Sequence, residues 1–302
     1  MSVFRSVQAW GRLLGRLPKL LYIALRYTIA TNRQARRLPS EAQPLFRAQR
    51  QQEGCRFLCR IMGLEVDASN AALPTGTPGL LVANHLGALD PIVLATCWPV
   101  AFVGKAELRR WPLIGWLCRS YGVLFVARER RTQSAHFVQQ VRARLQAGVP
   151  VLVFPEGTTS RGDAVQPFKT GAFEAVAGMP QSWVLPVSLC IQEVDGKPAS
   201  GRERQWLAWH AQVSFVRHLS RWLRLRRARL QVRVGRPIST LHKTRKQLAQ
   251  EAFEVVQGLY EAMLKATVDT AGPMQKIPAS TAKQSASAAV SESSSSERWG
   301  NS

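Results

Sequence analysis

GLLVANHLGALDPIVL (79–94) decides how the chain is read. Gly79–Ala83 is a short, continuous apolar run with a turn residue in front of it and a polar Asn84 behind. Such a run is the signature of a strand buried on both faces. The run then breaks at Asn84-His85, and Asp90-Pro91 introduces a second apolar segment. An aspartate before proline is a standard helix start. One strand, one loop and one helix therefore sit within sixteen residues.

The same alternation continues outward. Strands are predicted at 79–84, 100–104, 122–127, 150–154, 184–189 and 230–235, each a short apolar run bounded by turn residues or charges. Between them lie helical patterns. The clearest is 132–147, where Phe137, Val138, Val141 and Leu145 share one face and Gly148 marks the stop. A last helix is expected over 243–266. Strand and helix in alternation predict an α/β domain over 63–266, with a mostly parallel or mixed central sheet flanked by helices. From Thr267 the composition turns to Ser, Ala, Thr, Lys and Gln, which predicts a disordered tail over 267–302.

The 302 residues are 46% hydrophobic, enough for a sizeable core, and carry a net charge of +22. That charge directs the protein toward anionic surfaces, lipid or nucleic acid. Residues 1–60 hold twelve Lys/Arg against two Glu. Within them, Arg12, Arg16, Lys19 and Arg26 fall in one sector of a helix and Leu14, Leu17, Leu21 and Leu25 fall opposite. The uncharged stretches are too short to span a bilayer, so residues 1–62 are expected to be a basic amphipathic helical segment lying in a membrane interface. Packing of those leucines on the protein's own core is the competing reading. Pro18 is expected to kink or divide the helix. A second basic cluster, 217–236, has eight arginines and no acid. It suits a solvated helix face, an anionic membrane or an acidic carrier protein. The five cysteines lack disulfide or zinc spacing and read as reduced thiols.

The sequence has no G-x-S-x-G, no phosphate-binding glycine loop and no H-E-x-x-H. Nothing in it points to a metal, a nucleotide cofactor or a covalent nucleophile. His85 with Asp90 remains. An imidazole is a suitable general base at neutral pH when a partner orients its other nitrogen. Positions five apart lie about 140° apart on a regular helix, so the two meet only across a loop, which Gly87 permits. A capping Asp90 and a purely structural His85 are the plainer readings, and one aspartate can serve both purposes. VLVFPEGTTSRGD (151–163) is a strand running into a loop with hydroxyls, a flexible backbone and Arg161, suited to a polar or phosphorylated headgroup or to ordinary capping. Lys105 follows a strand directly, at the sheet end where α/β sites form.

Together these stretches resemble the glycerolipid acyltransferases, the family of 1-acylglycerol-3-phosphate acyltransferases. NHLGALD (84–90) matches N-H-x4-D, KAELRRWPLIG (105–115) and GVLFVARER (122–130) resemble the next two blocks, and FPEGTTS (154–160) resembles F-P-E-G-T-R-S. FKTGAF (168–173), VLPVSL (184–189) and VRVGRPI (232–238) follow in the family's order, so the likeness covers about residues 55–240. The pairing of H-x4-D with the P-E-G-T block some seventy residues later is highly specific.

The resemblance implies acyl transfer without a metal, a cofactor or a covalent intermediate. His85, oriented by Asp90, would deprotonate the hydroxyl of a lysolipid, which attacks an acyl-ACP or acyl-CoA thioester. Glu156, Gly157, Thr158 and Arg128 would bind the acceptor headgroup, with Lys105 and Arg161 beside them. Lysophosphatidic acid is the first expectation for the acceptor. Thr159 stands where the family usually carries arginine, which opens the alternative of a lyso-aminolipid such as lyso-ornithine lipid. The expected location is the cytoplasmic face of the inner membrane, against anionic lipid. A nucleic-acid-binding module would also suit the charge, but no groove-fitting element or aromatic platform supports it. A catalytically dead lipid-binding scaffold is disfavoured by intact His85 and Asp90.

Overall fold

The computed structural model describes residues 2–76, 78–126, 133–210 and 213–270. Two helices, α1 (Ser2–Ala35) and α2 (Gln43–Met62), precede β1 (Leu64–Asp67) and β2 (Leu80–Ala83). Then come α3 (Asp90–Ala95), β3 (Ala101–Lys105), a 3-10 turn at Ala106–Arg110, α4 (Ile114–Ser120) and β4 (Leu124–Val126). α5 (Gln133–Gln146), β5 (Val151–Val153), a second 3-10 turn at Thr170–Ala175 and the long β6 (Trp183–Val194) follow. The described residues end with β7 (Lys197–Pro198), α6 (Gly201–Leu207), α7 (Phe215–Arg224), β8 (Ala228–Val234), β9 (Ile238–Ser239) and α8 (Arg245–Thr270).

The strands form one sheet in the order β1-β8-β6-β2-β5-β3-β4, with β7 and β9 attached to β6. β2 is parallel to both β5 and β6, and β3 is parallel to β5 and β4. β8 runs antiparallel to β6, so the sheet is mixed. Helices cover both faces. Leu81 and Ala83 point to the side packed by α2, α3, α7 and α8, while Leu80 and Val82 point to the side packed by α5 and the start of α8. Burial on both faces is why these strands are unbroken apolar runs instead of alternating ones. β1 escaped prediction because LEVD is short, carries two acids and buries only Leu64 fully. α8 continues to Thr270, past the composition change at 267.

α1 revises two expectations. Pro18 does not divide it: one helix runs from Ser2 to Ala35, with Pro18 and Leu14 both exposed. The basic stripe is also only partly free. Arg12 Nε donates to Arg224 O at 2.8 Å, and Arg16 donates to Leu225 O at 2.6 Å and Arg226 O at 3.0 Å. These guanidiniums cap the carbonyl end of α7, where positive charge is favourable. Leu13, Leu17 and Leu20 pack inward, whereas Val7, Trp10, Leu14, Leu21, Leu25 and Ile29 form an exposed apolar stripe. Among the described residues no helix is long and apolar enough to cross a membrane.

Candidate active site

β2 delivers the site. Where its ladder with β6 ends, the Asn84 side chain takes over the pairing. Its Nδ2 donates to Leu189 O at 2.9 Å and its Oδ1 accepts from Leu189 N at 2.8 Å. The backbone is thereby released to turn while the strand end stays anchored, a role for Asn84 that its sequence position alone did not disclose. His85 follows at the carboxyl end of the parallel strands, the usual place for an α/β site.

The 85–90 loop closes on Asp90. Its Oδ2 accepts from Leu86 N at 2.6 Å and Gly87 N at 2.8 Å, and lies 2.7 Å from His85 Nδ1. An oxygen already accepting two N–H groups takes a third donor, which places the imidazole proton on Nδ1 and leaves a lone pair on Nε2. The aspartate thus winds the preceding loop around its own carboxylate. This differs from the capping expected for the helix it begins: Leu89 is the N-cap, and no side chain caps α3. The His85 ring lies flat on Phe154, centroids 4.1 Å apart and 17° from parallel. Phe154 thereby fixes the ring's second degree of freedom.

Gly87 does not serve through a left-handed backbone. A Cβ there would stand 2.8 Å from His218 Cε1 and 3.0 Å from His218 Nε2, so glycine is required by close packing. His218, on α7, is fully buried and stacks on Trp209, and its Nε2 accepts from Ala88 N at 3.3 Å. Burial lowers its pKa to about 4, with Arg221 and His85 adding to the drop and Asp90 opposing it. It is therefore neutral and can accept. Sequence reading missed it because it lies 130 residues from the loop, inside a cluster that reads as a basic surface.

The second loop leans on the first. Glu156 is buried, with Oε1 accepting from His85 N at 2.7 Å and Oε2 from Gln166 N at 3.1 Å. Ser160 N donates to His85 O at 2.7 Å. Burial pushes the Glu156 carboxyl up to about 8, the N–H groups of His85 and Gln166 hold it back, and Asp90 adds to the rise. Glu156 therefore points inward, tying the P-E-G-T turn to the histidine. Gly157, at φ +77, packs against the Lys169 side chain. Thr158 and Arg161 are exposed, and Lys105 is exposed at the end of β3, two strands from β2 and so about 10 Å across the sheet. Thr159 Oγ1 donates to Trp209 O, joining this loop to the segment that holds His218. Arg128 lies outside the described residues. Among the described residues no group of His, Cys, Asp and Glu is arranged to hold a metal ion.

A model of the Acyltransferase family matches residues 65–190. The chain is 33% identical over 216 residues to a lyso-ornithine lipid O-acyltransferase from Brucella abortus, covering 69% of this chain and 80% of that protein. It is 32% identical over 136 residues to a 1-acyl-sn-glycerol-3-phosphate acyltransferase from Neisseria gonorrhoeae, covering 45% and 52%. The crystal structure of the 1-acyl-sn-glycerophosphate acyltransferase PlsC from Thermotoga maritima shares the fold, with TM-score 0.59 and 21% identity over 87% of this chain and 98% of that one. The chain is an O-acyltransferase and belongs to the glycerolipid acyltransferase family.

Proposed function

We propose that the protein transfers a fatty acyl chain from acyl-ACP or acyl-CoA to the hydroxyl of a lyso-ornithine-type aminolipid at a membrane surface. His85 Nε2 takes the hydroxyl proton as the oxygen attacks the thioester carbonyl. The C–S bond breaks as the tetrahedral intermediate collapses, and the proton on His85 passes to the departing thiolate. General-base catalysis of this kind contributes about 10²–10⁴ in rate. The remainder comes from positioning and from stabilising the oxyanion.

The headgroup reading rests on Thr159. At the position where the family usually has arginine, this chain has a hydroxyl that is spent on Trp209 O. A phosphomonoester is a net anion that favours a guanidinium partner, whereas an ornithine headgroup is a zwitterion whose ammonium offsets its carboxylate. Similarity to lyso-ornithine lipid O-acyltransferases supports the same choice. Lysophosphatidic acid is the second reading, favoured by the exposed Arg161 and Lys105 at the carboxyl end of the strands. Residues 1–62 act as the membrane-associating segment, with the apolar stripe of α1 in the acyl boundary and the exposed Lys19 and Arg26 near anionic headgroups. The working location is the cytoplasmic face of the inner membrane.

An acyl-transfer assay offering lyso-ornithine lipid and lysophosphatidic acid side by side tests the acceptor. The expected result is a higher kcat/KM for the aminolipid and an unchanged KM for it in Arg161→Ala. Preference for lysophosphatidic acid, with KM raised for that acceptor alone in Arg161→Ala, would establish the second reading.

A further inference from the structure

A cavity of about 260 Å³ opens at the opposite end of the sheet from His85. It lies between the start of α2, Ala101 at the start of β3 and Gly122 just before β4. β2, β5, β3 and β4 are parallel, so His85 sits at their carboxyl ends and this cavity at their amino ends. Its polar lining is Ser40, Gln43, Arg47, Arg119, Tyr121 and Arg144.

Three arginines line it, and among the described residues no carboxylate does. Among the described residues none of the three forms an ion pair. Their partners are neutral. Arg47 donates to Asn32 Oδ1 and Ser120 O, both at 2.6 Å, Arg119 to Arg109 O at 2.7 Å, and Arg144 to Gly122 O at a long 3.5 Å. Glu41, adjacent in sequence, accepts from Ser40 Oγ and does not line the cavity. The first turn of α2 adds the positive end of a twenty-residue helix. Burial, and then the charge of Arg47, lowers the Arg144 pKa; burial and Arg36 do the same to Arg47. Like charges held together inside a concavity are costly unless an anion joins them.

We propose that this cavity binds a phosphoryl group through Arg47, Arg119 and Arg144, at a site separate from the catalytic one. Guanidinium forks match phosphate oxygens, and at about 30 Å³ per water the volume takes a phosphoryl group with water to spare. The ligand is either free phosphate or the phosphate of an anionic lipid headgroup. Occupancy would tie α2 to the sheet edge and so stabilise the folded chain.

Two arms distinguish the sources. In one, thermal unfolding of the full chain is followed as inorganic phosphate replaces chloride at constant ionic strength. In the other, binding to phosphatidylglycerol vesicles is compared with phosphatidylcholine vesicles. Each arm uses wild type, Arg144→Gln, Arg144→Lys, Arg119→Gln and Arg202→Gln, the last an exposed arginine on α6 that reports non-specific charge. Loss of one charge-assisted contact predicts roughly tenfold weaker binding in Arg144→Gln and Arg119→Gln. Arg144→Lys should recover part of this loss, and Arg202→Gln should match wild type. Selective loss in the phosphate arm identifies free phosphate, and selective loss in the vesicle arm alone identifies a headgroup. Equal responses in Arg144→Gln, Arg119→Gln and Arg202→Gln in both arms would overturn the proposal. So would a phosphate response that survives both cavity substitutions. Arg119→Gln carries the test by itself if Arg144→Gln does not fold.

Discussion

The two ends of the parallel strands treat polar groups in opposite ways. At the carboxyl end, Asp90 and Glu156 are buried and answered chiefly by backbone N–H groups, and among the described residues the side chain paired with Asp90 is His85. At the amino end, three arginines share a cavity with neutral partners and no carboxylate. The first arrangement is closed apart from one imidazole nitrogen. A closed, hydrogen-bonded shell holds a base in one orientation without reorganisation during reaction. The second arrangement keeps its charge uncompensated, which suits capture of an anion and not proton transfer. Burial of polar groups therefore means different things at the two ends, and the partner decides which.

The contrast can be broken most severely at Asp90. Asp90→Asn should lower kcat by up to about 10⁴, within the loss caused by removing His85, because an amide can present the wrong partner to Nδ1 and mis-set the tautomer. Steady-state kinetics with a check of folding by circular dichroism reads this. Gly87→Ala drives a Cβ against His218 and should cost about 1–3 kcal/mol of stability. It should also lower turnover through the shifted loop, seen as a drop in both Tm and kcat. His218 sets the next effect. Its folded pKa of about 4 lies below the ~6.5 of an unfolded histidine, so the unfolded state binds the extra proton between those values. Its share of stability is complete above pH 6.5 and falls as pH drops toward 4, by up to about 3 kcal/mol. Denaturation of wild type and His218→Gln across pH 4–7 should show a flatter pH dependence in the variant. Arg144→Gln should leave acyl transfer within about twofold of wild type, since it touches only the amino-end cavity. A large loss of turnover there would join the two ends that the structure separates.

Much of this was legible in the sequence, for a physical reason. Strands buried on both faces are written as unbroken apolar runs, so β2, β3, β5 and β6 could be read locally. His85 and Asp90 lie five residues apart, and the loop joining them is encoded in the same short stretch. What could not be read depends on distant chain segments. His218 and Trp209 reach the catalytic loop only after α6 and α7 fold back over it. The family resemblance implied a headgroup role for Glu156, whereas tertiary packing turns its carboxylate toward His85 N and Gln166 N. Arg12 and Arg16 matched a membrane-facing stripe in helical projection, but the projection holds no information about the carbonyls ending α7. Gly87 was assigned to backbone freedom, whereas the ring beside it demands the missing Cβ.

The central claim is that His85 Nε2 is the base for acyl transfer to a lysolipid hydroxyl. The direct measurement is turnover of His85→Ala with acyl donor and lysolipid, on protein shown to keep wild-type Tm and vesicle binding. A fall of about 10²–10⁴ in kcat, with acceptor KM little changed, is the predicted result. Near-native turnover by that folded, membrane-bound variant would contradict the account.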